Sequence, residues 1–147
     1  MKRILLIASI VVVYILTWNN TPLAAYEGCP FINRFGYMFF HANVFHLIAN
    51  IICIWSIKRH YWESVAIGVI CSFAATSPTI GISGVIFATI GITCGIHMNR
   101  KALLYSLATA LIIGLMPSIS LLLHIWALII GYIYGWCRET IRIYNSI

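Results

Sequence analysis

Four polar side chains in an otherwise apolar chain carry most of the chemistry this sequence offers: Ser83, His124, His46 and Asn50. A serine hydroxyl becomes a nucleophile when a neighbouring imidazole accepts its proton. Ser83 lies between Gly81 and Gly84 in TSPTIGISGVIFATIG, residues 76–91. His46 and Asn50 are four positions apart and share one face of a helix. Taken singly, each has a plain structural role. Ser83 can bond back to a carbonyl one turn earlier, His124 can be a satisfied interior histidine, and His46 with Asn50 can join helices by hydrogen bonds. Only elements that bring the four to one place would turn them into a site.

Those elements belong to a membrane. The chain has 147 residues, enough for a single domain over 1–147, with 62% hydrophobic and 8% charged residues and a mean hydropathy of +0.97. Soluble domains carry about 25% charged residues, so this chain cannot cover itself with a polar surface. The net charge of +6 comes from Lys and Arg dispersed between apolar runs, without the basic stripe a nucleic-acid binder needs. Five cysteines (29, 53, 71, 94 and 137) form no metal-ligand spacing, so neither a metal, a cofactor nor a disulfide framework is expected.

Six apolar runs, at about 4–18, 44–57, 61–75, 81–98, 102–116 and 121–136, predict six transmembrane helices. With the amino terminus inside, Lys2, Arg3, Lys58, Arg59, Arg100, Lys101, Arg138 and Arg142 all fall on the inner side, and only Arg34 lies outside. The expectation is therefore an all-α bundle of six spans with both termini cytoplasmic. MKRILLIASIVVVYIL has the form of a signal sequence but lacks a well-placed cleavage site, and is read as the first helix. Segment 19–43, rich in Tyr and Phe, is expected in the outer interface.

In that arrangement Ser83 opens the fourth helix, His124 the sixth, and His46 with Asn50 the second. Counted at about 1.5 Å per residue to the nearest inner cation, the three lie about 25, 21 and 18 Å above the inner edge. Polar groups at one depth in hydrocarbon point to function. On the sixth helix His124, Ala127, Gly131 and Gly135 fall within about 80° of one another. Gly84, Ala88, Gly91 and Gly95 form a small-residue face beside Ser83 on the fourth. Small faces let backbones approach closely, and their meeting would bring His124 to Ser83.

No carboxylate completes a triad. Glu27 belongs to the outer loop, and Glu63 and Glu139 lie near the inner ends; the lysines also lie at the inner edge. The chemistry that remains is a serine activated by histidine alone. Donors for an oxyanion are the free N–H groups at the start of a helix and the His46 and Asn50 side chains. Pro78, Gly81 and Gly84 suit a tight approach of backbone to another group.

These residues resemble the rhomboid intramembrane serine proteases. HANVFHLIAN is similar to the family's His-x4-His-x3-Asn, GISGVIFATIG to its Gly-x-Ser-Gly, and HIWALIIGYIYG to its histidine and small-residue stripe. The resemblance implies a rhomboid-like bundle with Ser83 as nucleophile, His124 as general base and acid, and His46 and Asn50 in the oxyanion hole. It further implies Phe87 packed on the catalytic imidazole, with His41, Gly81 and Gly84 in support. The activity implied is a serine endopeptidase hydrolysing peptide bonds in or near the transmembrane segments of single-pass proteins. The location implied is a bacterial inner membrane, with the site opening to the outer side. Asn33-Arg34 departs from the family's Trp-Arg, and Ala127 replaces a common glycine. The alternative reading is a non-catalytic relative that binds or escorts transmembrane helices through the same groove.

Overall fold

The computed structural model describes residues 2–18, 20, 22–57, 59–115 and 119–146. Lys58, one of the inner cations counted above, lies outside the described residues. The helices are α1 (Lys2–Leu16), α2 (Phe31–Gly36), α3 (Val44–Ser56), α4 (Tyr61–Cys71), α5 (Ser83–Ile96), α6 (Arg100–Ile113) and α7 (Leu121–Tyr144), with short 3-10 turns at Tyr37–Phe39 and Ser72–Ala74.

Three starts are set by side-chain caps that satisfy otherwise orphaned N–H groups. Asn43 accepts from the His46 N–H at 2.9 Å, Asn99 from Ala102 at 3.0 Å, and Ser120 from Leu123 at 3.3 Å. Two of these caps place His46 and His124 in the first turns of α3 and α7.

The expected bundle of six spans is overturned. Each apolar run forms a helix, but α1, α3, α4, α5 and α6 have only 11 to 15 residues. At 1.5 Å per residue they reach about 17–23 Å, short of the roughly 30 Å hydrocarbon layer. Among the described residues one helix, Leu121–Tyr144, is long and apolar enough to cross a membrane. Phe31–Phe39 with Val44–Ser56 passes the same test only as a pair bent by 88°. A topology with both termini cytoplasmic rested on the six crossings and falls with them.

The difference has a local cause: run length counts apolar residues, whereas helix length is set by where the backbone can stay helical. The fourth run loses its start because Gly81 has φ +111, a conformation outside the helix. The third ends at Cys71 in a 3-10 turn. Residues 22–43 are also more ordered than an interfacial loop. They supply α2, a 3-10 turn and, among the described residues, one antiparallel bridge, between Ala25 and Thr79.

The core is centred on α5 and α7, which share the most extensive contact. Their glycines explain the closeness. A Cβ at Gly91 would stand 2.3 Å from the Leu128 carbonyl oxygen, and one at Gly135 2.2 Å from that of Ile92. Backbone lies directly on backbone, an approach only glycine permits. Ala127 is fully buried in the same seam. The departure at this position leaves the neighbouring glycines in backbone contact.

Candidate active site

The α5–α7 seam brings together two residues 41 positions apart. Ser83 Oγ stands 2.7 Å from His124 Nε2. Ser83 is the first residue of α5, so its N–H and that of Gly84 precede the first helical bond, from Val85 N–H to the Ile82 carbonyl. His124 is completely buried. The Phe87 ring, one turn after Ser83, packs 4.8 Å from the imidazole, centre to centre. Contact of this kind fixes the ring plane, which fixes the direction of the Nε2 lone pair. With Nε2 accepting from Ser83, the proton resides on Nδ1, and buried Nδ1 has no partner among the described residues. Among the described residues no carboxylate orients it: Glu63 bonds Arg138 and Glu139 bonds Arg142, towards the far end of α7. The arrangement is a dyad.

His46 and Asn50 converge on the backbone two residues before the serine. A Cβ placed on Gly81 would lie 2.7 Å from His46 Nε2 and 3.5 Å from Asn50 Nδ2. Both nitrogens are buried without a hydrogen-bond partner among the described residues. Orphaned buried donors are rare because each carries a desolvation penalty. Two aimed at one spot beside a serine hydroxyl have the arrangement that would accept a negatively charged oxygen. Gly81 leaves that pocket open, and its positive φ turns the chain into α5.

Gly84 has another role: a Cβ there would meet Leu123 at 2.5 Å and the Tyr37 hydroxyl at 2.9 Å. Its absence lets the residue before His124 seat beside α5. His41 stacks edge-on against His46 with ring centres 5.1 Å apart. Both its ring nitrogens are buried and, among the described residues, make no hydrogen bond of good geometry. Burial first, and the His46 ring second, push the His41 imidazole down to about 4. It is thus an uncharged support behind His46.

Sequence reasoning missed Tyr37. Expected among interfacial aromatics, it is fully buried. Its hydroxyl donates to the Gly68 carbonyl at 3.0 Å, and its own carbonyl accepts from the Gly81 N–H at 2.9 Å. The Ala25–Thr79 pair adds two backbone bonds of 2.9 Å. Segment 25–37 therefore pins the 79–81 stretch that leads to Ser83. Asn33 and Arg34 stabilise that segment. Asn33 Nδ2 donates to the Ala24 carbonyl at 2.8 Å. Buried Arg34 donates to the Ser72 carbonyl at 2.5 Å and lies 4.6 Å over the Phe73 ring. The run of aromatics was the available signal, but composition alone does not say which ring turns inward.

Compared with known proteins, the chain matches no family model, no curated protein and no solved structure.

Proposed function

We propose that this chain is a serine endopeptidase of the rhomboid type, using a Ser83–His124 dyad to hydrolyse peptide bonds in or near transmembrane segments of membrane proteins. The observation that carries the reading is the 2.7 Å contact between Ser83 Oγ and a buried imidazole nitrogen. The pair of orphaned donors at Gly81 supports it.

In the first half-reaction Ser83 Oγ attacks the scissile carbonyl carbon as His124 Nε2 takes the hydroxyl proton. The carbonyl oxygen, now carrying the negative charge, accepts from His46 Nε2–H, Asn50 Nδ2–H and the Ser83 N–H. The C–N bond breaks as His124 returns the proton to the departing amine, leaving an ester on Ser83. In the second half, water attacks that ester with His124 as base. The proton goes back to Ser83 Oγ and the new carboxylate leaves. Phe87 holds the plane of the ring, and the bond that Nε2 accepts from Ser83 Oγ favours the tautomer with the proton on Nδ1.

The location we propose is a bacterial inner membrane. Large apolar side chains point outward, among them Phe45, Leu16 and Leu115 at 80, 78 and 85% exposure. Such surface is costly in water and natural in lipid. With α7 as the crossing helix, Arg138 and Arg142 mark its inner end, and His124, about 21 Å before Arg138, lies towards the outer side.

The test is cleavage of a single-pass reporter protein in detergent. Ser83→Ala abolishes cleavage while the protein stays folded, and a fluorophosphonate labels Ser83 only while His124 is present. Undiminished cleavage by Ser83→Ala defeats the reading. Binding of the reporter without cleavage by the unaltered chain would favour a helix-escorting role.

A further inference from the structure

A cavity of about 1170 Å³ runs along α5 from Ile86 to Ile96, beside the carboxyl-terminal halves of α3 and α7. Sites for ordinary small molecules occupy roughly 300–1,000 Å³, so this one suits a larger occupant. Its composition is divided along its length. One stretch of wall is aliphatic, from Ile52 on α3 and Ile86 and Ile90 on α5. The other carries the guanidinium groups of Arg59, Arg138 and Arg142.

Two of these cations have partners. Arg138 reaches Glu63 at 3.1 Å and Arg142 reaches Glu139 at 2.6 Å, yet their side chains remain 50 and 72% exposed. Arg59 is also exposed. Arg100 and Lys101 begin α6 directly before Ala102, which lines the same space. Three guanidinium side chains thus line the cavity with one carboxylate, Glu139. An apolar slot closed by a basic rim matches a molecule with a hydrocarbon tail and an anionic head.

We propose that this cavity binds one anionic phospholipid, with its phosphate among Arg59, Arg138 and Arg142 and an acyl chain between α3 and α5. Basic side chains at a membrane surface favour anionic lipid head groups, and the rim lies at the inner end of α7, where such head groups are placed in the proposed orientation. The inference rests on the membrane location and not on the hydrolytic reading, so loss of one leaves the other standing.

The test uses the full chain in a neutral detergent, titrated with dioctanoyl phosphatidylglycerol while the unfolding temperature is followed. A saturable rise is expected, absent with dioctanoyl phosphatidylcholine and with inorganic phosphate. Arg59→Gln combined with Arg142→Gln raises the half-saturating concentration by about tenfold or more. Thr93→Trp, at an exposed position on the cavity wall, fills the slot without altering the rim and removes the response. It reads the same point if the charge variant does not fold. An equal response to the choline lipid, a response to phosphate alone, no saturable response, or an unchanged response in Thr93→Trp overturns the proposal.

Discussion

The α5–α7 seam and the α3 flank are built on opposite principles. Across the seam, Gly91, Gly95, Gly131 and Gly135 leave no room for a methyl group between backbones. On the flank, α3 touches α5 sparsely, and the space between them opens into the large cavity. The contrast teaches where geometric precision is needed. A proton transfer between Ser83 and His124 tolerates little displacement, because effective orientation depends on fractions of an ångström. Rigid backbone contact supplies that constancy. A flexible apolar occupant needs only volume and a charge to anchor it; the loose packing of α3 leaves the volume, and Arg59, Arg138 and Arg142 line it with charge.

The sharpest way to break the contrast is to force the seam open. Gly131→Val puts a branched side chain where a Cβ already lies 2.4 Å from the Ala88 carbonyl oxygen. A stability loss of about 3 kcal/mol is expected, with cleavage falling as far as in Ser83→Ala. Denaturant titration and the reporter assay read the two effects. Retention of both would show that the seam does not hold the dyad.

Next in size is Asn50→Ala. Removing one donor of a preorganised pocket lowers kcat about a hundredfold, with KM little changed. A change in KM alone would assign Asn50 to binding. Steady-state kinetics on the reporter decide this.

Smaller again is Tyr37→Phe, which removes the bond to Gly68 and leaves the Gly81 bond to the Tyr37 carbonyl in place. Stability is expected to fall by about 1 kcal/mol, and cleavage to persist. Loss of cleavage out of proportion to stability would mean that the hydroxyl, and not only the main chain, positions Ser83.

The control lies on the flank. Thr93→Val, at an exposed residue, removes only the bond from its part-buried hydroxyl to the Thr89 carbonyl. A stability change within about 0.5 kcal/mol is expected. A loss comparable to that of Gly131→Val would erase the distinction between the two regions.

Much of the candidate site was legible because polar residues are few in so apolar a chain. Ser83, His124, His46 and Asn50 stood out by type, and helical periodicity put the small faces beside Ser83 and His124. Tyr37 was not legible, since a tyrosine in an aromatic run looks the same whether its ring faces lipid or core. Nor was the pairing of Ala25 with Thr79, which joins segments 54 positions apart and follows no local pattern. The span count misled for a different reason. Apolar character continues through Gly81 and past Cys71, while the helical backbone does not.

Composition and periodicity by themselves determined that this chain is helical, that it exposes apolar surface, and which few side chains could react, since these follow from residue type and from 3.6 residues per turn. Only the tertiary structure decided how long each helix runs, which aromatic lies inside, and where empty space remains between helices. Those features arise from contacts between distant segments, and no stretch of sequence contains them.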